Sequence, residues 1–368
     1  MTPAGKPVSF GFVVHPPTLR HVRKAIPAMR YVPDGLVVSL IRHQQPYLIS
    51  RVRKVSSLLG HEVQGFFVVC PLLPKQMLEL ATEFVLERIV GAGRIAERLG
   101  VGILGLGGYT SVVGDKGRTV ASRLSMPVTS GSAMTAWTAV EAIRRLAERR
   151  GVDPGLCTLA VIGASGSIGS LCTRVLAPSV RKVIINARHR DRLERLRDEL
   201  MLSCQTEVCV EMDAHKAVAA ANLVITTTSA PDALFTAEEL RPQSIVADVS
   251  VPKNISKAKH SCDDVVVVDG GRVKLPGQPE FSVDIGLSRG VVYACMAETM
   301  VLALEGRLES FSLGDDINPA KVDEIGRIGR KHGFDVWLGE SAGEEGEAMT
   351  KKTAGSDGSV TSAVEECV

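Results

Sequence analysis

The chain has 368 residues, of which 45% are hydrophobic, 23% charged and only 4% aromatic, with a formal net charge of +2. That length predicts two domains rather than one, and the composition is that of a folded protein with a large aliphatic core, which excludes a disordered chain. No apolar run reaches the ~20 residues a bilayer-spanning helix needs, so no transmembrane segment is expected.

The start, "MTPAGKPVSFGFVVHPPT", lacks a signal peptide's order of charged, apolar and small residues. Its apolar part reads as a strand, and a cytoplasmic location is expected. Two further runs, "GLVVSLI" and "GFFVVC", also read as strands. The stretch "KQMLELATEFVLERIVGAGRIAERLG" repeats Met77, Leu80, Phe84, Ile89, Ile95 and Leu99 at helical spacing. A second helix, "MTAWTAVEAIRRLAERRG", stops at Gly151. Between the two, the glycines of "VGILGLGGYTSVVGDKG" predict special turns or close backbone approach rather than regular structure. Residues 1 to 60 hold nine basic residues against one acid, Asp34. Such a surface attracts anionic partners; a solvated face with countercharges elsewhere is the bland alternative.

From residue 158 the runs "TLAVIG", "KVIINA", "EVCVEM", "NLVITTT", "SIVADVS" and "DVVVVDG" are short and β-branched. At least the first four are separated by helical or turn segments, the mark of a parallel sheet with crossover helices. Helical patterns return from Val291 to about Leu338. The polar last thirty residues are expected to be disordered. The expected fold is therefore α/β. A Rossmann-type parallel-sheet NADP-binding domain spans residues 151–290 and an α/β substrate domain spans residues 1–150. A C-terminal helical segment (291–338) and an acidic tail (339–368) follow. The eight cysteines, at 70, 157, 172, 204, 209, 262, 295 and 367, contain no C-x-x-C pair and fit neither a disulfide framework nor a zinc site. No metal is expected.

"TLAVIGASGSIGSLCTRVLA" reads as a strand, a G-x-x-G-x-x-G turn and a helix. Gly163 permits the sharp turn, Gly166 the approach of backbone to a pyrophosphate, and Gly169 the close packing of helix on sheet. The helix start, with Ser165, Ser167 and Ile168, then presents its amides to the phosphates. Nineteen residues after Gly169, where an NAD site carries an acid, stand Arg188 and then Arg190. Arginine binds a 2′-phosphate bidentately, so the expected cofactor is NADPH.

Cys295 sits in "RGVVYACMAETM", among small and apolar residues at a helix start. By residue type alone it is a packing cysteine or a nucleophile. Arg289 and the helix N-terminus are the features expected to favour a thiolate. The stretches "GFVVHPPTL", "CPLLPKQML", "LGLGGYTSVV", "AVIGASGSIGS", "VIINARHRDRLERL", "VPKN", "YACMAETMVLALEG" and "IGRIGRKHGF" run in order from about residue 10 to 335. In these the chain resembles the long-chain acyl-[acyl-carrier-protein] reductases known from cyanobacteria.

That resemblance implies NADPH-dependent reduction of a fatty acyl thioester to an aldehyde, with residues 1–150 binding the acyl group. The family's nucleophile falls on Cys295. His15 falls in the family's early histidine segment, and Tyr109 and Ser111 become candidate donors to the acyl carbonyl. The implied partners are acyl carrier protein or acyl-CoA, docked on the basic first sixty residues, and a long-chain acyl substrate; no nucleic acid is expected. One departure stands out. Ser132 and Met134 occupy the places of Asn and His in the family's T-G-N-x-H-T-A pattern. Two other readings remain: an NADP-dependent alcohol or keto-acid dehydrogenase of shikimate type without covalent catalysis, and a non-catalytic NADP-binding sensor.

Overall fold

The run "VSFGFVV" folds as strand β1 (Ser9–Val14), buried in the middle of a six-stranded sheet. The structure, a computed structural model, describes residues 8–230, 233–256 and 265–339; the acidic tail from residue 340, with Lys6, Cys262 and Cys367, lies outside the described residues. The sheet also contains β2 (Tyr47–Ser56), β3 (Glu62–Val69), β4 (Ile103–Leu106), β5 (Val128–Thr129) and, from far along the chain, β15 (Glu280–Phe281). Their order is β15-β2-β3-β1-β4-β5. Strands β1, β3, β4 and β5 are parallel, and β2 and β15 add antiparallel at one edge. Phe10 and Phe12 point to one face and Val13 to the other, as the two-residue period of a strand requires.

Five helices connect these strands: α1 (Leu19–Ala25), α2 (Asp34–His43), α3 (Pro74–Glu79), α4 (Thr82–Arg98) and α5 (Arg118–Ser122). Helix α4 covers one face of the sheet with Val85, Ile89, Ala92 and Ala96. Each large aliphatic side chain buried this way contributes about 1.5–3 kcal/mol.

Three expectations change here. "GLVVSLI" is not a strand but most of α2: Val37 and Ile41, one turn apart, are buried while Leu36 and Leu40 face solvent. Packing overrode the β-branched propensity. The single helix expected over residues 75–100 is two, because the chain leaves the helix at Leu80 (ψ 159°) before restarting at Thr82. And "VGILGLGG" begins with the regular strand β4.

The six β-branched runs form β6 (Thr158–Ile162), β7 (Lys182–Asn186), β8 (Glu207–Val210), β9 (Leu223–Thr226), β11 (Ile245–Asp248) and β13 (Val266–Asp269). They make one parallel sheet in the order β13-β11-β9-β6-β7-β8. Helices α7 (Ser167–Leu176), α8 (Arg190–Ser203) and α9 (Ala214–Ala219) fill its crossovers, and a two-stranded pair, β10 (Phe235–Thr236) and β12 (Ile255–Ser256), lies outside it. This is the Rossmann-like arrangement: strand order reverses between β6 and β9, which opens a crevice at their carboxyl ends.

Helix α6 (Ser132–Arg149) packs on α7 and β11 and also on α10 (Ala294–Glu305) and α11 (Ala320–Lys331). Strands β14 (Arg272–Lys274), β16 (Val291–Tyr293) and β17 (Asp335–Val336) form a small antiparallel sheet that launches α10. Helix α10 then covers the second face of the first sheet, against β1, β3 and β4. No described helix is long and apolar enough to cross a membrane.

Candidate functional site

Ala, Met, Leu and Glu dominate "ACMAETMVLALE", all good helix formers, and α10 stops where Gly306 turns left-handed at φ 69°. Cys295 therefore lies in the first turn of a helix buried on nearly every side. Opposite it stands Gly131, the residue before α6, at φ 77°. A Cβ there would fall 2.3 Å from both Cα and Cβ of Cys295, so only glycine lets the two helix starts meet.

The backbone N–H groups of Met296, Cys295 itself and Gly108 act on the Cys295 thiol to favour its thiolate. Burial nonetheless pushes its pKa up to about 12, and the Glu298 carboxylate adds to the rise, against the opposing amides. The resting group is the thiol. Arg289 plays no part in this balance: it is exposed, in the solvent-facing stretch before β16, and is not among the groups acting on the sulfur. The expected cationic help for a thiolate is thus replaced by backbone amides.

The Gly108 turn brings further residues to the same place. Tyr109 N–H donates to His15 Nε2 at 3.2 Å, and a Cβ on Gly108 would lie 2.7 Å from that nitrogen. Burial lowers the pKa of His15, so the ring is neutral near pH 7, with Nδ1 facing the Pro16 carbonyl at 3.3 Å. The Tyr109 ring stands edge-on to His15, and its hydroxyl reaches across to the Ser229 carbonyl at 3.4 Å, beyond the end of β9. Ser111 lies in this turn too, but its hydroxyl donates to the Gly108 carbonyl at 2.7 Å.

Glu298, one turn after Cys295, was not singled out from the sequence. It is fully buried and accepts from Thr129 Oγ1, from Ser312 Oγ at 2.5 Å and from the Met134 N–H at 2.8 Å. A carboxylate thus caps the start of α6, where the helix dipole favours negative charge. Burial raises its pKa while these hydrogen bonds hold it down. The signal was present: a single acid inside an otherwise apolar helical run demands buried partners. Met134, where the resemblance places a histidine, gives only its N–H to this network. Its side chain is fully buried, and a Cβ on Gly329 of α11 would lie 3.4 Å from its Cε. Ser132 bonds Ser130 at 2.8 Å.

The Ser312 loop continues to the glycine-rich turn, where Ser167 Oγ donates to the Gly314 carbonyl at 3.1 Å. That turn fits a dinucleotide. Gly163, at φ 89°, and Gly169 each leave no room for a side chain, since added Cβ atoms would lie 2.8 Å from Thr227 Oγ1 and 2.4 Å from the Gly163 carbonyl respectively. At Gly166, the residue before α7, a Cβ meets only the Gly163 carbonyl within 4 Å, so the outer side of the turn is open to a ligand. Ser165 and Ile168 are half-buried beside it. At the end of β7, Arg188 is exposed and has no partner among the described residues, whereas Arg190 opens α8 and pairs with Glu194 at 2.9 Å.

Residues 145–270 match the family model described as Shikimate / quinate 5-dehydrogenase. The chain is 30% identical over 352 residues to aminotransferase PigE of Serratia sp. (strain ATCC 39006), which covers 92% of this chain but only 40% of that protein. It is 25% identical over 343 residues to the long-chain acyl-[acyl-carrier-protein] reductase of Synechococcus elongatus, covering 88% of this chain and 98% of that one. Among solved structures it is similar to L-tryptophan dehydrogenase from Nostoc punctiforme, with 10% identity, a TM-score of 0.39 and coverage of 89% and 80%. The matched stretch contains the glycine-rich turn, and these similarities support a nicotinamide cofactor there.

Proposed function

We propose that this protein reduces a fatty acyl thioester to the aldehyde with NADPH, carrying the acyl group on Cys295 in between. The observation behind this reading is the setting of the thiol. It faces the N–H groups of Gly108 and Met296 and connects to the dinucleotide turn through Glu298, Ser312, Gly314 and Ser167. A cysteine that merely fills space needs no such donors. The Synechococcus reductase, aligned over nearly its whole length, supports the same activity.

In acyl transfer the Cys295 sulfur bonds to the acyl carbon as the donor's carbon–sulfur bond breaks, and the proton from Cys295 ends on the departing thiol. Thiolate both attacks and leaves well, which suits thioester exchange. The Gly108 and Met296 amides act as charge develops on sulfur, where donors already in place need no reorganisation. His15 holds the Gly108–Tyr109 turn through the Tyr109 N–H. The Tyr109 hydroxyl is assigned to the acyl carbonyl end of the substrate, and Ser111 to shaping the turn. When bound, the reduced nicotinamide supplies the hydride that the reduction consumes. As the aldehyde departs, Cys295 is left as thiolate and takes up a proton. Gly163, Ser165, Gly166, Ser167, Ile168 and Gly169 hold the pyrophosphate, and Arg188, rather than the paired Arg190, takes the 2′-phosphate. The acyl donor is acyl carrier protein or acyl-CoA.

The un-ionised thiol and the match of residues 145–270 favour a second reading, a dehydrogenase without covalent catalysis. Cys295→Ser separates the two. It should abolish NADPH-dependent aldehyde formation from a long-chain acyl thioester while NADPH binding, followed by fluorescence titration, persists. Wild-type turnover by the serine variant would overturn the covalent reading.

A further inference from the structure

Apart from Lys6 and Arg42, the basic residues of the first sixty fall into two groups. Arg51, Arg53 and Lys54 lie on the antiparallel strand β2, whose Arg51 is in register with Phe66 and, through it, with Gly11. From there β2 runs away from His15, and Lys54 is already paired with Glu280 at 2.5 Å. The other group follows His15 along the chain. Arg20, Arg23, Lys24 and Arg30 line one open cleft of about 410 Å³ where α1 follows β1.

Within that cleft Arg23 pairs with Asp34 at 2.5 Å, and Lys24 reaches Asp284 at 3.5 Å between two exposed side chains. Neither Arg20 nor Arg30 has a partner among the described residues. Among the described residues the cleft therefore holds an excess of positive charge. His21 on the same helix registers it: after burial, the charges of Lys24 and Arg20 lower its pKa, with only Asp284 opposing. Tyr31, 88% exposed, and Leu36 and Leu40 of α2 provide apolar surface on the neighbouring segment. Arg20 lies five residues after His15. Even a fully extended chain would place it no more than ~17 Å away, comparable with an extended pantetheine arm.

We propose that Arg20 and Arg30 form an anchor for the phosphate at the far end of a pantetheine thioester, with an acyl carrier protein as its source. This rests on the thioester reading of Cys295 and adds the place where the donor is held. Guanidinium groups suit a phosphodiester because they bind it bidentately. The exposed Tyr31, Leu36 and Leu40 favour a protein source, since free coenzyme has no surface to set against them.

The test compares acyl-pantetheine with acyl-4′-phosphopantetheine as substrates of the full-length protein, in the wild type and in the Arg20→Ala/Arg30→Ala variant. In the wild type the phosphate should lower KM roughly five- to twentyfold, an advantage that shrinks with added salt. In the variant that ratio should fall to near one. Carrier-bound substrate should lose more than acyl-CoA, and equal losses would overturn the protein source. Titration with 4′-phosphopantetheine should also raise the His21 pKa, read by NMR, in the wild type and not in the variant. A phosphate advantage that survives in the variant, or is absent from the wild type, overturns the anchor. Failure of the wild type to reduce either substrate instead overturns the thioester reading itself.

Discussion

Replacing Gly131 by alanine tests how Cys295 is held. The substitution incurs two separate costs. At φ 77° an L-residue is strained, by about 1–2 kcal/mol. Its Cβ would also lie 2.3 Å from Cα and Cβ of Cys295, atoms that belong to the backbone end of a buried helix and have no rotamer by which to yield. Forced overpacking of that kind costs a further ~1–3 kcal/mol. Gly151 supplies the control: it has φ 64° with nothing within 4 Å of an added Cβ, so Gly151→Ala meets the strain alone. Urea unfolding should place Gly131→Ala about 2–5 kcal/mol below wild type and Gly151→Ala about 1–2 kcal/mol below. The displaced α10 start should also change the alkylation rate of Cys295, read by peptide mass spectrometry. Equal losses of stability in the two variants, with Cys295 alkylated as in the wild type, would refute the close approach of α6 and α10.

Glu298→Ala should destabilise by about 3–5 kcal/mol, because the Met134 N–H and the Thr129 and Ser312 hydroxyls lose a buried acceptor. Glu298→Gln should cost clearly less in the same unfolding assay, since its carbonyl can take the Met134 N–H while the hydroxyls rotate to accept. Arg188→Ala should erase a preference for NADPH over NADH worth about tenfold, the lower end for a charged phosphate contact at an exposed site; an unchanged affinity ratio would move the contact to Arg190. With a thiol pKa of about 12, alkylation of substrate-free Cys295 by iodoacetamide should be slow at pH 7 and rise about tenfold per pH unit through the alkaline range. The same raised pKa gives stability that is full below the unfolded thiol's pKa and declines above it, toward about 12, because the folded form then binds the extra proton.

Where one physical rule governs a segment, the sequence was readable. The six β-branched runs from "TLAVIG" to "DVVVVDG" became the six strands of one sheet, since strands buried on both faces need continuous apolar residues. "GLVVSLI" misled because its β-branched residues at 37 and 38 matter less than the one-turn spacing of Val37 and Ile41. Strand β2 escaped notice because bulges between Leu48 and Ser50 and between Val52 and Val55 break its alternation, and Arg51, Arg53 and Lys54 mask the buried Val52 and Val55. At the site, Cys295, His15 and Tyr109 could be named from residue type and resemblance. Their meeting at Gly108, and the role of Glu298 in joining α10 to α6, depend on contacts between residues far apart in the chain. Periodicity carries no record of such contacts.

In the proposed reaction Cys295 carries the acyl group. Incubation of the wild-type protein with a long-chain acyl thioester in the absence of NADPH, followed by intact mass spectrometry, tests it most directly. A mass increase of one acyl group is expected, mapped by peptide digestion to Cys295, lost on addition of NADPH as aldehyde appears, and absent from Cys295→Ser. An unmodified wild-type mass under conditions where the same preparation turns over with NADPH would contradict it.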